Sequence, residues 1–175
     1  MVTYRLAQST DAVRIAALHA QSWQTHNAGI WAAAYLDGPV VADRLAVWTA
    51  RLQQPAANQH LLVAEQAGQL VGFACTYFNE EPQYGTLLDN LHVATRVQGQ
   101  GIGKKLMQLA AAAAYPRFPD AKFHLWALEE NHAARKFYER LGGENVETTP
   151  CENPDGTYSP ACRYVWASAR VLAGD

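Results

Sequence analysis

The sequence predicts an α/β fold, a central sheet of about seven strands flanked by about four helices. Three patterns carry that reading. Short apolar runs alternate with longer stretches whose apolar residues recur at spacings of three and four. Two of the runs, 61–65 and 70–77, are separated only by Gln66-Ala67-Gly68-Gln69, a connection that suits an antiparallel hairpin. A further strand at 86–93 leads directly into a loop of alternating glycines and then an amphipathic helix. With 175 residues, 49% of them hydrophobic and 17% charged, the chain is long enough for one core, and residues 1–175 are expected to form a single domain.

Residues 2–6 form the first expected strand, and Ser9-Thr10-Asp11 supplies capping chemistry ahead of a helix marked by Val13, Ala16, Ala17 and Ala20. After an aromatic and small-residue segment at 23–38, Asp37-Gly38-Pro39 makes a turn into a second helix with Val41, Leu45, Trp48 and Leu52 on one face. Pro55 ends it, the hairpin follows, and Asn79-Glu80-Glu81-Pro82 reads as a polar turn into the strand at 86–93. Beyond the glycine loop come a helix at 102–115, a strand at 123–128 and a helix at 131–141. A strand starts at 146–148, a loop occupies 150–156, and a last strand covers 163–167.

Several function classes are disfavoured. Lys and Arg number 14 against 16 Asp and Glu, a net charge of −2, and the basic residues are dispersed, so no nucleic-acid partner is expected. Three cysteines without CxxC spacing fit neither a disulfide framework nor a zinc site, and His19 with His26 lacks further ligands, so no metal is expected. No run approaches the roughly 18 apolar residues of a bilayer span, and Arg5, Asp11 and Arg14 interrupt any signal-peptide core. The expected location is the cytoplasm, away from membranes.

The strongest chemical signal is Arg96-Val97-Gln98-Gly99-Gln100-Gly101-Ile102-Gly103-Lys104-Lys105. Glycine tolerates positive φ and lets main-chain N–H groups approach a ligand, and here they converge on a helix N-terminus, where amides lack partners and the macrodipole is positive. The loop therefore looks like a phosphate cradle. A dinucleotide fingerprint would need a third glycine where Lys104 stands, and a P-loop would need glycine at Gln98 and a hydroxyl at Lys105, so neither motif is met.

The pattern Gln98-x-x-Gly101-x-Gly103 resembles the acetyl-CoA pyrophosphate loop of the GCN5-related N-acetyltransferase (GNAT) family. Asn131-x-x-Ala134-x-x-Phe137-Tyr138-x-x-x-Gly142 is similar to that family's second block, and the order of elements matches its layout over nearly the whole chain. The resemblance implies a mixed, mostly antiparallel sheet splayed at the cofactor site, with acetyl-CoA as co-substrate. It implies that main-chain groups of Leu91, His92 and Val93 line the pantetheine arm, and that amides of Gln98, Gly99, Gln100, Gly101, Ile102, Gly103 and Lys104 hold the pyrophosphate. Asn131 would bond the arm and Tyr138 would face the thioester sulfur.

A direct transfer to a small-molecule or peptide amine follows from the resemblance, with Tyr138 as acid to the leaving thiolate; a tyrosine's reference pKa near 10 suits a donor. Asp89 and His92 are the candidate bases, followed by Glu80 and Glu81, and strand alternation predicts Asp89 and His92 on opposite faces. Trp31 and Tyr35 are candidate walls of an acceptor groove. Gly142-Gly143 departs from the family's usual Gly-Phe. The resemblance also admits a homodimer, and an acyl-CoA-binding regulatory module without catalysis is the alternative.

Overall fold

The computed structural model describes residues 1–173. The strands are β1 (Val2–Leu6), β2 (Gln59–Gln66), β3 (Gln69–Glu81), β4 (Gly85–Val93), β5 (Phe123–Leu128), β6 (Glu144–Glu152) and β7 (Tyr158–Trp166). The helices are α1 (Ala12–His26), α2 (Ala33–Leu36), α3 (Val40–Gln53), α4 (Ile102–Ala114), α5 (His132–Arg140) and α6 (Arg170–Ala173). The strands form one sheet in the order β1-β2-β3-β4-β5-β7-β6, antiparallel throughout except where β4 meets β5. The four longer helices are those the periodicity predicts; α2 and α6 are four-residue turns too short to show a period.

Opposite faces of the sheet carry different helices. Gly72 on β3 would put a Cβ against Leu106 and Ile102 of α4. The next residue, Phe73, packs against Trp48 of α3 and His19 of α1 at ring separations of 5.1 and 5.6 Å, so α1 and α3 cover one face and α4 the other. Phe73, Trp48, Leu106, Met107, Phe123 and Trp166 are each 1% exposed or less and form the centre of the core.

Around β1 the charges are internal to the fold. Asp11, 2% exposed, accepts from Arg5 at 2.7 and 2.9 Å, and Glu65 takes both Arg5 and Arg14. Rather than opening α1 as a simple cap, Ser9–Asp11 forms a 3-10 turn in which the Asp11 carboxylate receives the Gln8 amide.

Three boundaries differ from the sequence reading. β3 runs through Asn79, Glu80 and Glu81, with Asn79 at φ +48°, so the polar turn shrinks to the residues before Gly85. β6 continues through Pro150 to Glu152 and β7 begins at Tyr158, because β6 is an edge strand on which proline costs no ladder bond to a second neighbour. The loop at 150–156 contracts accordingly to the segment between Glu152 and Tyr158.

β4 and β5 pair only through Thr86↔Phe123 and Leu87↔His124. Beyond Leu87 the two strands diverge, which opens a wedge whose lips are the C-terminal halves of β4 and β5. The splayed sheet expected from the family resemblance is thus present.

Candidate active site

The wedge is the centre of the site, and the glycine loop stands at one end of it. A 3-10 turn at Thr95–Val97 leads out of β4, Gly99 and Gly101 take φ of +78° and +80°, and α4 begins at Ile102. A side chain at Gly99 or Gly101 would meet nothing within 4 Å, so glycine is required there by backbone conformation, and the space outside the loop is open. No side chain caps α4, and the amides of Gly101, Ile102, Gly103 and Lys104 meet no acceptor among the described residues; the first tie is from Lys105 to the Gly101 carbonyl at 3.0 Å. Gln98 turns inward, its Nε2 donating to the Val93 carbonyl at 3.1 Å, which fastens the loop to the end of β4.

α5 runs beside α4, with the Phe137 ring and the Val93 side chain both facing Gly103. Asn131 is its N-cap, accepting from the Ala134 amide at 3.1 Å through Oδ1, which leaves Nδ2 free to donate. Tyr138 is 9% exposed and packs against Phe137, Tyr164 and Trp166, and its hydroxyl bonds no group among the described residues. Burial pushes its pKa up to about 12, so the phenol is a proton donor throughout the neutral range.

The missing aromatic after Gly142 is explained across the sheet. Trp166 of β7 donates from Nε1 to the Leu141 carbonyl at 2.8 Å, and its ring lies where a Cβ at Gly143 would come within 2.6 Å of Cζ2. An indole from another strand thus occupies the space that a side chain at Gly143 would need.

On the α1–α3 face, the strand register corrects the placement of Asp89. Cys75 pairs with Asn90 and Thr76 with Leu88, so Asp89 is an extra residue in a β-bulge and the alternation slips by one. Asp89 and His92 consequently share a face. Asp89 Oδ2 accepts from Arg51 of α3 at 2.7 Å, Asn90 accepts from the same guanidinium at 3.0 Å, and His92 Nδ1 lies 2.7 Å from the Ser22 hydroxyl of α1. The His92 ring stands between His19 and Phe73, at 4.4 and 5.2 Å, and burial pushes its pKa down to about 3.

The other candidate bases are engaged. Glu81 gives one oxygen to Arg163 at 2.6 Å and the other to His124 at 3.1 Å, while Glu80 accepts from Asn58 at 2.6 Å. Among the described residues, Asp89 Oδ1, His92 Nε2 and Glu80 Oε1 have no partner. Arg163 in turn lies over the rings of Tyr84 and Trp126, at 3.9 and 4.3 Å, and beside Glu147.

These groups stand in front of the wedge, between two sides of the fold. α1, α3 and the segment between α1 and α2 form one wall, with Trp31 8% exposed and edge-on to Trp23 at 4.7 Å. Trp126, Arg163 and Glu147 form the other. The walls are joined at the top: Asp155, in the β6–β7 turn, accepts from the Ala32 amide at 2.6 Å and holds Thr157 with its second oxygen. Ser22, Arg51, Arg163 and Asp155 were not legible in the sequence, since each acts through a partner at least 38 positions away.

The family model for the acetyltransferase (GNAT) family matches residues 15–143. A curated relative from Mycobacterium tuberculosis, named "Probable N-acetyltransferase Rv2775", is 30% identical over 147 residues, 79% of this chain and 78% of that protein. Among solved structures, a GCN5-related N-acetyltransferase from Rhodopseudomonas palustris superposes with a TM-score of 0.74 at 21% identity, covering 94% of each chain. The PaiA N-acetyltransferase of Thermoplasma acidophilum, solved in complex with coenzyme A, gives 0.68 at 16% identity over 92% of this chain and 98% of that one.

Proposed function

Because the chain belongs to the GNAT acetyltransferase family, we propose that it carries the acetyl group of acetyl-CoA directly to a primary amine, with Tyr138 as general acid to the departing thiolate. The observation that carries this reading is the run of unpartnered amides at Gly101, Ile102, Gly103 and Lys104 on the positive end of α4. Such donors, facing open space, are suited to a pyrophosphate. Amides of Gln98, Gly99 and Gln100 extend the cradle, and the free lips of Leu91, His92 and Val93 take the amide-bearing pantetheine arm, with Asn131 Nδ2 as a further donor.

Acyl transfer needs a neutral amine, a stabilised oxygen on the tetrahedral centre and a proton for the leaving sulfur. A main-chain N–H near Val93 meets the second need. Tyr138 meets the third: its ring is fixed by packing, its hydroxyl is unclaimed and its proton is retained at neutral pH. The amine's proton leaves through water toward the free Oδ1 of Asp89, whose Oδ2 is anchored by Arg51. The acceptor enters from the cleft below the Asp155 bridge, as a small amine or an extended peptide end, and the reducing cytoplasm suits the free thiols.

Three measurements test this. A ligand that binds only the folded state raises its melting temperature, so acetyl-CoA at millimolar concentration is expected to shift Tm upward, and an unshifted Tm removes the basis of the reading. Thiol release with a panel of amines then separates an enzyme from a binding module, and Tyr138→Phe is expected to lower kcat far more than acetyl-CoA affinity. Binding without turnover for any amine would favour the regulatory module.

A further inference from the structure

We infer that Ser22 fixes His92 as the neutral tautomer protonated on Nε2, so that His92 is a hydrogen-bond donor to the acceptor cleft and Ser22 is its positioning residue. This rests on the transferase reading for its consequence, although the tautomer itself does not.

The assignment follows from the alternatives open to each proton. A hydroxyl inside a helix ordinarily bonds back to the carbonyl four residues earlier, as Thr25 does to Gln21 at 2.9 Å. Ser22 makes no such bond, and its one partner among the described residues is His92 Nδ1 at 2.7 Å. Its proton therefore goes to Nδ1, and a neutral imidazole that accepts at Nδ1 carries its hydrogen on Nε2. The neighbouring His19 follows the same rule on firmer chemistry. Indole N–H can only donate, and Trp48 Nε1 lies 2.9 Å from His19 Nδ1. His19 is 0% exposed and its Nε2 finds no partner among the described residues, whereas His92, likewise without a partner for Nε2 among them, is only half-buried. Of the two neighbouring rings, tilted to each other by 39°, only that of His92 offers an N–H to an incoming molecule.

The groups around the ring favour the neutral form. Burial comes first, Arg44 of α3 and, when protonated, His26 of α1 oppose a second positive charge, and the rings of His19 and Phe73 flank the imidazole. His92 lies beyond the last β4–β5 pair, on the lip of the wedge. There its N–H can hold an oxygen of the acceptor or of a bound water, while the amine's proton departs elsewhere.

Long-range ¹H–¹⁵N correlation of the uniformly labelled protein reads the tautomer without any substrate. The expected result is a protonated Nε2 and a bare Nδ1 for both His19 and His92 at pH 7.5, with His92 alone becoming a tautomeric mixture in Ser22→Ala. A protonated Nδ1 at His92 in the wild type, or an unchanged His92 pattern in Ser22→Ala, overturns the inference. Kinetics with acetyl-CoA and the best amine from spermidine, glycinamide, lysine methyl ester and an aminoglycoside give the second arm. His92→Gln, whose amide N–H replaces Nε2–H but cannot act as a base at neutral pH, is expected to retain several-fold more activity than His92→Ala and to keep the pH profile of the wild type. His92→Ala is expected to lose about tenfold, the worth of one hydrogen bond. Loss of activity in His92→Gln equal to that in His92→Ala, with both variants folded by circular dichroism, marks a base and refutes the donor role. If no amine is turned over by the wild type, the transferase reading fails while the spectra still decide the tautomer.

Discussion

Lowering the pH from 7.5 to 5.5 is expected to destabilise the protein through His92 before any carboxylate titrates. His92 is held neutral by burial, with its pKa pushed down to about 3, whereas an unfolded histidine titrates near 6.5. The unfolded state therefore takes up a proton that the native state refuses. Stability is full above the unfolded value and falls as the pH drops below it. Integrating the proton linkage for one such group gives a loss of about 1.4 kcal/mol over this interval. His19 is driven in the same direction by the same cause, and burial also lowers His60 and His124, so the wild-type slope is steeper than one histidine accounts for. Asp11, Glu65 and Glu81 act in the same direction in a lower window: partners hold them below the usual carboxylate range, so their contribution is likewise lost as the pH falls, but only under more acidic conditions. Urea unfolding at half-unit steps between pH 7.5 and 5.5 isolates the effect. His92→Gln is expected to be less sensitive to pH than the wild type by about 1.4 kcal/mol across the interval. Equal pH dependence in the two proteins would show that His92 is readily protonated in the folded state.

Further predictions concern the loop, the aromatic replacement and the cleft. Gly101→Ala places a Cβ at φ +80° in otherwise open space, so it is expected to cost about 1–2 kcal/mol of stability and to weaken acetyl-CoA binding by calorimetry, with no effect from steric overlap inside the protein. Gly143→Phe collides with Trp166 and is expected to cost about 1–3 kcal/mol, and Trp166→Ala about 3–5 kcal/mol. Their combination should be less harmful than the sum by at least about 1 kcal/mol, read from a double-mutant cycle in urea; strict additivity would show that the two sites do not share one space. Asp155→Ala releases the bridge to Ala32, and steady-state kinetics should show an altered acceptor KM with unchanged acetyl-CoA affinity and little change in Tm.

Legibility in the sequence followed the range of the forces involved. The four longer helices and the β2–β3 hairpin rest on local periodicity and turn chemistry, and the glycine loop on two positive-φ positions close in sequence, so these were readable. The bulge at Asp89 was not, because it is a property of the register between β3 and β4 that neither strand carries alone. It reversed the expected facing of Asp89 and His92. β6 was shortened in the reading because Pro150 argues against a strand unless its edge position is known. Ser22 looked like any helical serine until the fold brought His92 to it from 70 residues away. Likewise Trp166 fills from β7 the space beside Gly143, where a linear motif seeks an aromatic.

The parting of β4 from β5 has a chemical consequence of its own. A sheet normally closes its ladder with another stretch of polypeptide, but past Leu87 this one leaves a row of peptide groups on β4 without a neighbour to the right. The vacancy has the grammar of a missing strand. A slender molecule with amide linkages at suitable intervals can be read there by backbone rules alone, and most side chains around the gap are left free to change without loss of that recognition.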